Sequence, residues 1–191
     1  MAAVAHAVER RRREFASGRL LARALFAELG LPPHLAVAVG RNRCPVWPEG
    51  LVGSITHTTS WAAVAVARGE VVSSLGCDLE LDRPLPRHLW RLVCSPAEQR
   101  FLAGRPEVDR GRLATLLFSA KECVYKAQYP ITGCALGFGD VEVELDIRSG
   151  VFRAVLQRSD APLLHGQALG GRFRVHGGLV ATAMTVAGDR G

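Results

Sequence analysis

Apolar positions in residues 8–29 recur along one side of a helical wheel: Val8, Phe15, Leu20, Leu21, Ala24, Leu25 and Leu29. That period predicts a helix, stopped by Gly30 and Pro32-Pro33, with Gly18 as a candidate break inside it. Residues 35–39 read as a short strand, and 41–50 (RNRCPVWPEG) as an ordered loop rich in turn formers. The pattern then changes to short apolar runs at 51–56, 61–67 and 71–79. Arg68-Gly69-Glu70 supplies a hairpin turn, and an antiparallel meander is the economical arrangement.

After a proline-bearing connector at 82–88, the helical period returns. Ser95-Pro96-Ala97-Glu98 has the form of a capping box with proline at the first helical position, so a helix is expected over 96–103. A longer one is expected over 109–128, with Leu113, Leu116, Leu117, Ala120, Val124 and Ala127 on its apolar side and Pro130 and Gly133 ending it. Strands follow at 140–147, 151–156, 171–176 and 179–187. Helix first and strands after, twice, predicts an α+β fold of two similar halves, 1–88 and 89–191, working as one unit.

Composition narrows the class. The 191 residues are 48% hydrophobic and 22% charged, too apolar for a disordered chain. No apolar run reaches the roughly 18–20 residues of a bilayer-spanning helix. The arginines Arg10 to Arg13 are followed by no apolar signal region, so a cytoplasmic location is expected. The net charge of +6 admits a phosphorylated small molecule, nucleic acid, an anionic membrane or an acidic protein as partner. Five cysteines (Cys44, Cys77, Cys94, Cys123, Cys134) without a CxxC spacing argue for reduced, partly buried thiols rather than zinc or disulfides.

Four groups of residues could carry chemistry. Asp78 and Glu80, two apart in a strand, point to one face; a magnesium ion between them would relieve their repulsion, and a solvated strand end is the plainer alternative. Ser119, Glu122 and Lys126 share a helix face, where Glu122 and Lys126 could equally form an ordinary surface ion pair. Gly53–Thr58 (GSITHT) brings hydroxyls and His57 to a strand end, a fair cradle for phosphate. Arg11, Arg19, Arg23 and Arg43 form a basic set in which Arg19 and Arg23, one turn apart, could grip one phosphate. A solvated surface is the plainer account of Arg10, Arg12 and Arg13.

The order of these pieces says more than any one of them. RCPVWPEGLVGSITHT, LGCDLE and FSAKECVYKAQYP resemble the three core motifs of the 4′-phosphopantetheinyl transferases that serve siderophore, nonribosomal peptide and polyketide synthases, over about residues 11 to 147. The resemblance implies a pseudo-twofold monomer with coenzyme A in the cleft between its halves. It implies transfer of the 4′-phosphopantetheine arm to a serine of an acyl or peptidyl carrier protein, with Mg²⁺, releasing adenosine 3′,5′-bisphosphate. By position, Asp78, Glu80 and Glu122 match the family's metal ligands, Lys126 its lysine near the pyrophosphate, and Thr56 with His57 its coenzyme A phosphate site. Glu122 is the candidate base and Glu80 its rival. Arg11, Arg19, Arg23 and Arg43 are candidates for the 3′-phosphate and pyrophosphate, and residues 116–117 and 129–138 for carrier contact. A Mg²⁺-dependent phosphoesterase or nuclease using the same carboxylates, and a basic RNA-binding module, are the alternatives. Against the latter stand the low aromatic content of 6% and the lack of an RNP-like strand.

Overall fold

In a computed structural model, which describes residues 2–41, 44–157 and 168–188, the chain is α+β with antiparallel sheets throughout. Helix α1 (Ala2–Glu28) runs unbroken through Gly18. That glycine is a packing residue and not a break: a Cβ there would stand 2.6 Å from Ile55 Cγ2 on the strand beneath. The helix ends as its sequence predicts. Gly30 takes φ 70°, and the amides of Leu31 and Gly30 return to the carbonyls of Phe26 and Ala27, a Schellman closure.

The expected strand at 35–39 shrinks to β1 (Ala38–Val39), which pairs with β2 (Pro45–Val46). Strands β3 (Leu51–His57) and β4 (Ala62–Arg68) form the hairpin. The meander stops there. Strand β5 (Val72–Leu81) leaves β4 and pairs instead with the last strand, giving a five-stranded sheet of order β5-β9-β8-β7-β6 from β6 (Val141–Asp146), β7 (Val151–Leu156), β8 (Ala168–His176) and β9 (Leu179–Ala187). No local period in the sequence reveals a pairing between residues about a hundred positions apart, because such pairing is decided by the far partner.

Between the strands lie a 3₁₀ turn (Arg87–Leu89), α2 (Trp90–Val93), α3 (Pro96–Ala103) and α4 (Glu107–Thr132). The capping box is present: Ser95 Oγ accepts from the Glu98 amide at 3.2 Å and the Ser95 amide donates to Glu98 Oε2 at 2.7 Å. Helix α4 continues through Pro130 to a left-handed cap at Gly133. A proline near the end of a helix costs one carbonyl its partner, so it does not stop the helix as expected.

Two apolar cores are present, and since β5 joins the five-stranded sheet they do not divide at the expected boundary after residue 88. The larger packs Leu117, Val124 and Ala127 of α4 on Phe152, Ala154 and Met184 of the sheet. The smaller packs Ala22 and Phe26 of α1 on Val37, Leu51 and the edge of Trp47. Fully burying a Leu or Phe contributes about 1.5–3 kcal/mol, so Leu116 and Leu117, both buried, serve the interior and cannot form a carrier contact. The larger core also holds a closed ion pair. Lys121 Nζ donates to Glu98 Oε2 and to the carbonyls of Val93 and Phe138, each at 2.8 Å, tying α2, α3 and α4 together. All five cysteines are free thiols, Cys77, Cys94 and Cys123 buried. Among the described residues no helix is long and apolar enough to cross a membrane.

Candidate active site

Strand β5 lies between β9, β3 and helix α4. Its approach to α4 depends on Gly76, where a Cβ would fall 2.0 Å from the Cys123 carbonyl oxygen. That close contact is the physical content of the glycine in LGCDLE. On the other side β3 forms no ladder with β5. Two hydroxyls replace it: the Cys77 amide donates to Ser54 Oγ at 3.1 Å and the Leu79 amide to Thr56 Oγ1 at 3.2 Å. These two backbone donors of β5 are thus satisfied by side chains, while its other edge pairs with β9.

Asp78 stands at the centre, 4% exposed. Its Oδ1 accepts from Lys126 Nζ at 2.6 Å and from Thr56 Oγ1 at 3.0 Å. Its Oδ2 accepts from Ser119 Oγ at 2.8 Å. Ser119 and Lys126, seven positions apart on α4, reach the same carboxylate, as their shared helix face predicts. Lys126 is therefore the partner of Asp78, and the alternative of a simple Glu122–Lys126 surface pair falls away. Thr56 is buried and its hydroxyl is committed to Asp78 and Leu79, so it is not placed to meet a phosphate as expected.

Glu80 and Glu122 are half-buried near this centre, each within electrostatic reach of Asp78. Burial, and then the charge of Asp78, pushes the Glu80 carboxyl up from the usual 4.5 to about 7. Glu122 is also raised, by burial first, with Lys126 opposing and Asp78 adding. Among the described residues no three His, Cys, Asp or Glu side chains converge as a ready ligand cluster. The donor set nevertheless suits a hard divalent cation: oxygen ligands only, within mutual electrostatic reach, where burial and then the charge of Asp78 raise the proton affinity of Glu80.

This strain has a measurable consequence. In metal-free protein the folded Glu80 keeps its proton up to about pH 7, whereas the unfolded chain releases it near 4.5. Stability should then fall as pH rises through that window and level off above it. With Glu80 partly open to solvent, the loss should be about 1–2 kcal/mol. Urea unfolding in chelator at acidic and mildly basic pH reads it. Glu80→Gln should flatten the profile, and an unchanged slope in that variant would refute the assignment.

Two adjoining cavities open from the strand ends. One, of about 400 Å³, is lined by Glu80, Arg83, Thr115 and Phe118 together with Glu14 and His57. The other, of about 540 Å³, shares Glu14 and His57 and adds Arg13, Ser17 and Trp61. His57 Nε2 lies 3.8 Å from Glu14 Oε2. Glu122 opens elsewhere, onto a cavity of about 230 Å³ with Tyr125, Leu136 and Phe138.

The arginines divide differently from expectation. Arg11 is exposed and pairs with Glu14 at 3.7 Å. Arg19 lies over the Phe15 ring at 3.4 Å with its Nε buried and unpartnered among the described residues, and Arg23 donates to the Pro33 carbonyl at 3.4 Å. Arg19 and Arg23 thus do not share one target. Neither lines a cavity described above. Arg43 lies outside the described residues. Arg13, which reads in sequence as solvated surface, lines the His57 cavity and pairs with Glu9. The signal was present, since Glu9, Arg13 and Ser17 repeat every four residues down one helix face. Arg83, which lines the cavity with Glu80, has only its place five residues after Asp78 to mark it in the sequence.

The α+β chain thus holds a buried aspartate on a lysine and two hydroxyls, beside two half-buried glutamates of raised proton affinity that open to cavities, a donor set suited to phosphoryl chemistry. The comparisons name the family. Residues 1–67 match the model of the 4′-phosphopantetheinyl transferase N-terminal domain, and residues 74–180 that of the 4′-phosphopantetheinyl transferase superfamily. The chain is 44% identical to 4′-phosphopantetheinyl transferase Svp of Streptomyces mobaraensis, over 98% of this chain and 77% of that one. It is 36% identical to 4′-phosphopantetheinyl transferase Npt of Nocardia iowensis (96% and 86%) and to PptT of Mycobacterium tuberculosis (96% and 82%). The chain belongs to the 4′-phosphopantetheinyl transferase superfamily and is a transferase.

Proposed function

We propose that this enzyme moves the 4′-phosphopantetheine arm of coenzyme A onto a serine hydroxyl of an acyl or peptidyl carrier protein of a siderophore, nonribosomal peptide or polyketide synthase. It works as a cytoplasmic monomer, its two halves acting as one unit, and releases adenosine 3′,5′-bisphosphate. The observation that carries the reading is the Asp78 centre, with Glu80 opening toward His57 and Glu122 opening onto a separate cavity.

Attack on a pyrophosphate phosphorus places the entering and leaving oxygens roughly in line. With the nucleotide side of coenzyme A held from the His57 cavities, the carrier hydroxyl enters from the opposite side, where Glu122 faces its own cavity. Glu122 then takes the serine proton, directly or through water, from its place on the cavity by which the hydroxyl enters. Lys126 neutralises charge gathering on the leaving phosphate. Asp78, Glu80 and Glu122 would hold Mg²⁺, which when bound supplies Lewis-acid stabilisation of the pyrophosphate oxygens. His57 and Arg13 meet a phosphate of the nucleotide end. The exposed stretch around Pro130, Gly133 and Ala135 remains the candidate carrier contact on this side.

Incubation with coenzyme A and an apo carrier protein, followed by intact-mass spectrometry, tests the reading. One phosphopantetheine arm should be added per carrier. Hydrolysis of coenzyme A with no carrier modification would instead mark a phosphoesterase. His57→Ala should raise KM for coenzyme A roughly ten- to a hundredfold, the worth of one charge-assisted bond to phosphate, and leave kcat nearly unchanged. The change should shrink with 3′-dephospho-coenzyme A. An equal change with both substrates would remove His57 from the 3′-phosphate.

A further inference from the structure

Thr182 stands outside every sequence motif, on β9. The β5–β9 register sets it directly across from Asp78, and its side chain enters the same buried layer, 2% exposed. Its Oγ1 donates to the Ser119 carbonyl oxygen at 3.1 Å and lies 3.0 Å from Ser119 Oγ. Each hydroxyl has one hydrogen. The Ser119 hydrogen is spent on Asp78 Oδ2 at 2.8 Å, so across the Oγ–Oγ contact Thr182 is the donor. Its hydrogen is shared between the two Ser119 oxygens.

We propose that Thr182 is a positioning residue for transfer, holding the Ser119 hydroxyl on Asp78 and so fixing the direction of the Asp78 carboxylate. A serine inside a helix has a competing choice, its own carbonyl four residues back. For Ser119 that is the carbonyl of Thr115. A donor placed against Ser119 Oγ occupies its lone pair and leaves its hydrogen pointing at Oδ2, and donors in series polarise one another. Lys126 and Thr56 hold Oδ1; the Thr182–Ser119 chain holds Oδ2, so the carboxylate is fixed at both ends. The inference rests on the transferase reading and on Asp78 as a group that organises the pyrophosphate.

The test is a double-mutant cycle. Thr182→Val keeps the shape and removes the donor. It should lower kcat about five- to tenfold with KM for coenzyme A and carrier unchanged, because Thr182 touches neither substrate. Thr182→Ser should restore kcat. In a Ser119→Ala background, Thr182→Val should cost nothing further, since the residue through which it acts is gone. Calorimetric titration of Mg²⁺ into the coenzyme A complex gives a second readout: binding should weaken about threefold or more in Thr182→Val and recover in Thr182→Ser. Normal kcat and Mg²⁺ affinity in Thr182→Val, independent losses in the cycle, or a Thr182→Ser variant as poor as Thr182→Val would each overturn the proposal. A wild type that transfers nothing and binds no Mg²⁺ would instead overturn the reading of the site on which the proposal stands.

Discussion

Asp78→Asn should lower kcat by roughly a thousandfold while leaving the protein folded. The carboxylate is the one acidic group of the site that is buried and fully bonded, with three donors on two oxygens. An asparagine oxygen turned toward Lys126 and Thr56 keeps both of those bonds. Its amide nitrogen then meets Ser119 Oγ, which can rotate and accept. Geometry survives, charge does not, and the loss should fall on kcat. Asp78→Ala removes both. It leaves Ser119 and Thr56 without their acceptor and Lys126 without its counter-ion, a defect of about 3–5 kcal/mol for a buried pair. The cost should lie toward the lower end, since the Lys126 side chain is 24% exposed and can turn to water. Single-turnover transfer by mass spectrometry, with thermal unfolding alongside, separates the two variants. An Asp78→Asn enzyme within tenfold of wild type would mean that the carboxylate is a structural anchor and nothing more.

The contrast between Asp78 and its surroundings shows where sequence is informative. Helix α3 and its capping box follow from local chemistry, and strands β7 and β9 match the predicted 151–156 and 179–187, because period and turn residues are local signals. Asp78 and Glu80 on one face of a strand, and Ser119 and Lys126 on one face of a helix, are equally local. What brings the two pairs together is Gly76, whose lack of a side chain lets β5 rest on the Cys123 carbonyl. The requirement is met in three dimensions and leaves only a glycine in the sequence. Thr182 is less visible still, since its role depends on a strand register set across the whole second half. Thr56 illustrates the opposite error. A hydroxyl at a strand end reads as free to bind ligand, yet here it replaces a missing β-ladder. The basic helix misleads in the same way, because the side of α1 that faces the hairpin selects Arg13 over Arg19 and Arg23.

Glu122→Gln should cost as much as the loss of the Asp78 charge, for a different reason, and the pH profile distinguishes them. If Glu122 takes the serine proton, its amide loses roughly 10²–10⁴ in kcat. The acidic limb of the kcat/KM profile, which reports the protonation of the base, should vanish with it. Glu80→Gln should behave otherwise. Glu80 lines one of the cavities that hold His57, the side on which the proposed function places coenzyme A. On the proposed reading it would be a ligand to the cation, so its loss should weaken Mg²⁺ affinity, be partly recovered at high Mg²⁺, and keep the acidic limb. The raised proton affinity of Glu80 taken alone would argue for the reverse assignment, since a carboxyl near 7 suits a general base. But that value reflects burial and the repulsion of Asp78, both of which a cation offsets, so it describes the metal-free protein. Position then decides: a base must lie on the side from which the hydroxyl comes. An acidic limb that persists in Glu122→Gln and disappears in Glu80→Gln would exchange the two roles, and would require the carrier serine to enter past His57 rather than past Tyr125 and Phe138.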